Sequence, residues 1–294
     1  DDDLRANARG LFQHRPRPAQ RLERVGEDDN VEGCVGEVGQ VSIGVAVHPD
    51  DGVAPEEASF GTRYNPPAKT AWDRFVRRFG RLMHVAAVLA VYAVSAAAIG
   101  LALAPALWFL DAWAPIATSS AGLMHRPLQG FGYGIAFFIA GFGLLLIVPV
   151  FNLLLPTRAK PFMGGYFSSA AIPWALHNGL FYLARYTFLP FATLTPFGLW
   201  FLRAMGMRIG ARAYINTEFI SDPCLIEIGD DAVIGGSVHL FAHFGGGGHL
   251  TIAPIRIGHR ATIGQMATLM GDVWVGDDAV ILPHTVLLPG TRVG

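Results

Sequence analysis

The chain has 294 residues, 52% of them hydrophobic and only 15% charged. Ordinary soluble domains carry roughly 25% charged residues, so this composition does not read as one water-soluble globule. A formal net charge of −1 removes the electrostatic basis for nucleic-acid binding, and two cysteines, Cys34 and Cys224, are too few for a disulfide framework or a Cys-rich zinc site.

Residues 1–70 are polar and rich in Gly, Pro and acid, and they hold 13 of the 23 Asp and Glu. Little in them repeats with a helical period, and Val41–Val47 is at most a short strand. Their composition predicts an N-terminal tether or adaptor, disordered on its own. The chain starts Asp1-Asp2-Asp3 without Met or signal-peptide architecture and stops at Gly294 inside a repeat, so it reads as part of a longer protein.

Residues 71–160 read as two transmembrane helices. Val85 to Leu110 is a run of 26 residues without a charge, preceded by Arg74, Arg77, Arg78 and Arg81. As a helix it measures about 39 Å, enough to cross a ~30 Å hydrocarbon core with tilt. Pro105 should kink it near its end. A second uncharged run, Phe131 to Pro156, is followed by Arg158 and Lys160. Basic residues on both outer flanks place those ends in the cytoplasm, with the connection Asp111–Gln129 on the other side.

Residues 161–206 are dense in aromatics, among them Phe162, Tyr166, Trp174, Tyr182, Tyr186, Phe191 and Trp200. Pro161, Pro173, Pro190 and Pro196 divide them into pieces too short to span. That pattern suits helices lying in the membrane interface, with a re-entrant third pass as the alternative.

From Met207 onward aliphatic residues recur every six positions: Ile257, Ile263, Leu269, Val275, Ile281, Leu287 and Val293, with Ile228, Ile234 and Leu240 upstream. Ile209 and Ile215 lie before a one-residue slip. Gly often follows, as at Gly210, Gly229, Gly235, Gly258, Gly264 and Gly276. Neither a 3.6-residue nor a two-residue period produces this; a fixed short repeat marks a β-solenoid. Three six-residue units make one triangular coil, with the aliphatic residue inward and stacked on its equivalent about 4.8 Å away. The neighbouring Gly is expected to ease the corner conformation.

The stretch Ile228-Gly229-Asp230-Asp231-Ala232-Val233-Ile234-Gly235, a His-bearing loop, and then Pro254-Ile255-Arg256-Ile257-Gly258 resemble the hexapeptide-repeat acyltransferase superfamily over roughly residues 207–294. The aromatic lead-in and Arg203-Ala204-Met205-Gly206-Met207-Arg208-Ile209-Gly210 are similar to the membrane-bound C-terminal part of polylysine-type nonribosomal peptide synthetases and their stand-alone relatives. The resemblance implies a mixed membrane protein, a transmembrane hairpin joined to a left-handed parallel β-helix. It also implies an acyl-CoA donor, an acceptor hydroxyl or amine, and a homotrimer.

With Thr251 in phase with Ile257, the hexad from Leu240 is followed by five surplus residues, so Phe241 to Leu250 is expected to leave the coil as a flexible loop. It carries His243, His249 and the glycines 245–248. Phe241-Ala242-His243 occupies the place of the superfamily's catalytic His motif, which makes His243 the implied general base and His249 a weaker alternative. His239 is expected to project outward as support. Glu227, Asp230 and Asp231 are the nearby carboxylates, and none has a spacing that selects it as the partner of His243.

Two other readings stay open. γ-Class carbonic anhydrases share the solenoid, but Gln265 and Met270 stand where their zinc-binding histidines would be. Both are poor zinc ligands, and His239 with His243 lacks an evident third ligand, so no metal is expected. The other is a non-catalytic scaffold, an accessory subunit of a larger membrane complex.

Overall fold

The computed structural model describes residues 71–119, 122–157, 159–166, 171–246 and 249–294. The tether expected over 1–70 lies outside the described residues. Helix α1 (Ala71–Arg78) leads into α2, Gly80–Ser119, and α3 spans His125–Leu154 after a 3₁₀ turn at Gly122–Met124.

Helix α2 runs through Pro105 and on through Pro115, past the end of the uncharged run at Leu110. An interior proline costs a helix about 3 kcal/mol, and here the pairing with α3 offsets that loss. The expected connection of residues 111–129 is therefore mostly helix. His125 Nδ1 lies 2.8 Å from the Ala117 carbonyl, and the Trp113 indole donates to the Leu128 carbonyl at 2.9 Å. Ala98, Ala102 and Ala106, one helical turn apart, form a buried small-residue stripe on α2. Opposite it on α3, a Cβ on Gly143 would sit 2.9 Å from the Ala102 carbonyl oxygen. Close helix approach through small residues is the packing mode of helices in lipid.

Two helical stretches, Val85–Ser119 and the region Gly122–Leu154, are long and apolar enough to cross a membrane. Only 11% and 33% of their most apolar windows are buried. Leu89, Leu101, Leu107, Phe137, Leu146 and Leu153 face outward, whereas the core helix of a soluble protein would hide such side chains.

Beyond the hairpin, strand β1 (Phe162–Gly165) precedes helices α4 (Ile172–Arg185), α5 (Leu189–Ala192) and α6 (Pro196–Ala204). Pro173, Pro190 and Pro196 each stand in the first turn of a helix, where the missing N–H has no intrahelical partner to lose. They start the helices as much as they divide the segment. Phe137, Phe138 and Phe142 of α3 meet Phe188, Phe191 and Phe197 in edge-to-face contacts, tying α5 and α6 to the hairpin.

The repeat region folds as three parallel sheets fitting a β-helix-like stack. One contains β2 (Arg208–Ile209), β5 (Ile226–Ile228), β10 (Ile255–Ile257), β13 (Trp274–Val275) and β16 (Arg292–Val293). The second contains β3 (Tyr214–Ile215), β6 (Val233–Ile234), β11 (Thr262–Ile263) and β14 (Val280–Ile281). The third contains β4 (Ile220–Ser221), β7 (His239–Phe241), β12 (Thr268–Met270) and β15 (Val286–Leu287). Strand register stacks Ile228 on Ile257 and Val275, Ile234 on Ile263 and Ile281, and Leu240 on Leu269 and Leu287. All nine are buried.

The glycines play a different part from the one expected. The left-handed corner residue falls three positions after the inward aliphatic, at Arg212, Asp231, Arg260 and Asp278 among others, and it is seldom Gly. Gly229 instead sits where a Cβ would lie 2.6 Å from the Gly258 carbonyl carbon, and a Cβ on Gly258 would lie 2.6 Å from the Asp277 nitrogen. Glycine follows the inward aliphatic because the next coil's backbone leaves no room for a side chain.

Candidate active site

Of the loop expected after Ala242, residues 243–246 and 249–250 lie in paired strands, and 247–248 lie outside the described residues. Strand β8 (His243–Gly246) pairs antiparallel with β9 (His249–Ile252), and β1 adds along the far edge of β9. Thr251, expected at an inward solenoid position, pairs with Met163 on one side and Phe244 on the other. Leu240 and Ile257 are the consecutive inward positions, so the whole hairpin is the insertion. At Gly245 the Tyr166 hydroxyl lies 1.8 Å from where a Cβ would stand, so a side chain there would have to displace the Tyr166 ring.

His243 opens this hairpin at the edge of the third sheet. Its Nδ1 lies 2.6 Å from Oδ2 of Asp222. None of the three carboxylates considered from sequence fills that place: Glu227 pairs with Arg208 and Arg256, Asp231 with Arg212, and Asp230 lies near His259. Asp222 escaped because the first coil slips. Ile220 pairs with Leu240 and Ser221 with Phe241, which carries Asp222 to the level of Ala242, directly beside His243. Counting one coil back from Phe241 with that slip was the available signal.

Helix α4 completes the arrangement. Trp174, Asn178 and Tyr182, spaced i, i+4 and i+8, lie on one face. The Trp174 indole N–H donates to Asp222 Oδ1 at 2.7 Å and Asn178 Nδ2 donates to the same oxygen at 2.5 Å. The Asp222 N–H points back at Asn178 Oδ1 at 3.4 Å. Tyr182 shares a hydrogen bond of 2.6 Å with Ser221, and the Trp174 ring meets the His243 ring edge-on at 5.1 Å. Asp222 itself is fully buried, and three N–H groups aimed at its oxygens compensate the burial of that charge.

An ionised Asp222 accepts only, so His243 Nδ1 carries a hydrogen and donates it, leaving Nε2 with its lone pair. The His243 side chain is 23% exposed, enough for an acceptor group to reach that nitrogen. This is a histidine oriented by a buried carboxylate, the arrangement a general base needs.

The other histidines are placed differently. His249 pairs with Gly246 at the tip of the hairpin, away from Asp222. His239 projects outward beside Thr268, 3.3 Å from Nδ1, between the rings of Phe219 and Phe241; burial and the Arg185 charge make it less basic. Gln265 and Met270 lie on the solenoid, and among the described residues no three of His, Cys, Asp and Glu converge where a metal ion could bind. Burial pushes the Cys224 thiol up to about 11, which makes it a poor nucleophile.

No family model matches the chain. It is 26% identical over 190 residues to the delta-poly-L-ornithine synthetase of Acinetobacter baumannii (strain AB307-0294), covering 58% of this chain and 12% of that protein. The chain thus spans about an eighth of the length of this curated relative. Among solved structures, serine acetyltransferase isoform 3 of Entamoeba histolytica in complex with cysteine aligns with 56% of this chain and 62% of its own, at 16% identity and a TM-score of 0.20. Serine acetyltransferase 1 of the same organism in complex with L-cysteine aligns with 61% and 74%, at 15% identity and 0.15. The β-helix-like description rests on this chain's own strand register.

Proposed function

We propose that the chain is a membrane-anchored acyltransferase that moves an acyl group from a thioester donor of the acyl-CoA type to an amine or hydroxyl, with His243 as general base. The His243–Asp222 contact at 2.6 Å carries this reading. The relative named for a polymer of ornithine favours an amine as the acceptor. Nε2 of His243 takes a proton from the acceptor as its nitrogen bonds to the thioester carbonyl carbon. The imidazolium that forms is stabilised by Asp222. Collapse of the tetrahedral intermediate breaks the C–S bond, and the departing thiolate receives the proton from Nε2.

The outward apolar faces of α2 and α3 support their insertion into a bilayer. Arg74 and Arg78 before them and Lys160 after them favour a cytoplasmic position for the repeat domain, read as a left-handed hexapeptide β-helix. That arrangement holds the site at the membrane face, where an acceptor carried in or on the membrane would be met. A homotrimer is the expected assembly, and mass measurement of the detergent-solubilised chain tests it: a lone copy in a hetero-complex favours the scaffold alternative.

The test of the chemistry is thiol release from a panel of acyl-CoA donors in the presence of amine acceptors and a membrane extract. His243→Ala should slow transfer roughly 10²–10⁴-fold, as loss of a positioned base does, and His249→Ala far less. Transfer that survives His243→Ala sinks the assignment of the base. No turnover across the donor panel favours the scaffold.

A further inference from the structure

Next to the His243–Asp222 pair lies a cation without a counter-ion. Arg185, the last residue of α4, is 4% exposed. Its guanidinium sits over the rings of Tyr182, Tyr186, Phe219 and Phe241, at 5.3, 5.0, 5.4 and 5.7 Å from their centroids. It makes no hydrogen bond and no ion pair among the described residues, and its Nε is buried with no partner. Buried arginines are as a rule paired, because taking a guanidinium out of water costs several kcal/mol. Four aromatic faces recover part of that cost, but they leave the buried Nε–H unanswered.

The box is part of the same wall as the dyad. Phe241 precedes His243 by two residues on the strand that leads into the hairpin, and Phe219 precedes Asp222 by three on the coil before it. Tyr182, whose ring is one side of the box, bonds to Ser221, the neighbour of Asp222. Asp222 is the nearby anion, and its oxygens are taken by Trp174, Asn178 and His243. His239, the other titratable group against these rings, is made less basic by its burial and by the Arg185 charge. Tyr186, 70% exposed, is the side of the box next to solvent.

Resting on the acyl transfer proposed above, we infer that Arg185 is the anchor for a carboxylate of the acceptor, so that the acceptor is an amino acid whose amine is presented to His243. One planar guanidinium with an unanswered Nε–H matches the two oxygens and single charge of a carboxylate. A phosphate dianion would call for further cations, and among the described residues Arg185 is the sole cationic side chain of the box.

L-Ornithine and putrescine separate the carboxylate from the rest of the ligand, since both carry a side-chain amine and only ornithine has the acid. Binding of each to the detergent-solubilised chain, measured by titration calorimetry, needs no catalysis. Ornithine should bind more tightly than putrescine, and Arg185→Gln should cut that preference about 10–100-fold, the worth of a charge-assisted hydrogen-bonded pair. Arg185→Lys, which keeps the charge without the fork, should retain an intermediate preference, and it carries the test if the Gln variant does not fold. The inference is overturned if the wild type does not prefer ornithine, if it binds neither ligand, or if both variants weaken the two ligands equally. The parallel assay is thiol release with His243→Ala. His243-dependent transfer without an ornithine preference ends the Arg185 assignment and leaves the acyltransferase reading standing. An Arg185-dependent ornithine preference without transfer does the reverse.

Discussion

Asp231, Asp278 and Asp222 all occupy left-handed corner positions of the same solenoid, with φ near +60°, yet their surroundings are opposite. Asp231 and Asp278 face water and pair with Arg212 and Arg260 on the adjacent coil at 2.6 and 2.7 Å. Asp222 is fully buried, covered by α4, and answers to Trp174, Asn178 and His243. Solvent screens the first two pairs, and such exposed pairs contribute little. Covering the third corner with a helix turns the same residue into a fixed charge that selects one histidine tautomer. What distinguishes the site is the element laid over the repeat, not the repeat.

The strongest way to break this contrast is Asp222→Asn. Two N–H donors converge on Oδ1, so a carboxamide would place its oxygen there and turn its NH₂ toward His243. His243 Nδ1 must then accept, the ring hydrogen moves to Nε2, and the nitrogen facing the acceptor loses its lone pair. Transfer should fall about 10²-fold or more, within the range a general base supplies, with the acceptor KM changed much less. Equal rates for the two proteins would show that Asp222 only fills space. The matching change Asp231→Asn should leave the rate where it was.

The inward aliphatics were legible because a six-residue period over seven positions has few alternatives. The choice of His243 as the candidate base came only through its resemblance to a family motif. Its carboxylate was hidden by a local loss of register: the first coil slips so that Ile220, not Ser221, turns inward. Trp174, Asn178 and Tyr182 carried a readable i, i+4, i+8 spacing, but the surrounding aromatics pointed to a lipid interface and gave no reason to fold α4 back onto the third sheet. The glycines were visible while their purpose was not, since close approach between coils is a property of the stack and not of any one hexad.

Helix α4 has a second face, and it offers a smaller effect. His177 points away from the dyad toward α3, where its Nδ1 lies 2.8 Å from Asn152 Oδ1, and its Nε2 is buried without a partner. Burial lowers its pKa from 6.5 to about 4, against a weaker opposing pull from Asp222. The unfolded chain therefore binds a proton between those values that the folded chain refuses. Stability from this residue is complete above pH 6.5 and drains away as pH falls toward about 4, an effect on the order of 3 kcal/mol. The thermal unfolding midpoint in detergent should drop across that window, and His177→Gln, which keeps a donor for Asn152, should flatten the drop. An unchanged pH profile in the variant would remove His177 from the account.

The smallest effect belongs to the exposed corners. The Arg212 side chain, by hydrogen bond and charge, holds the Asp231 carboxyl below its ordinary range, but both groups are solvated. At about 0.15 M salt the Debye length is roughly 8 Å, and two flexible side chains held in one geometry lose entropy that offsets their attraction. Arg212→Ala should therefore leave both the unfolding midpoint and the transfer rate within the scatter of replicate measurements, at low and at high salt alike. A clear loss of stability that grows as salt is removed would mean that the corner pairs help hold the coils in register. Burial would then not be what separates Asp222 from its exposed counterparts, and the contrast between them would have to be redrawn around the hydrogen bonds alone.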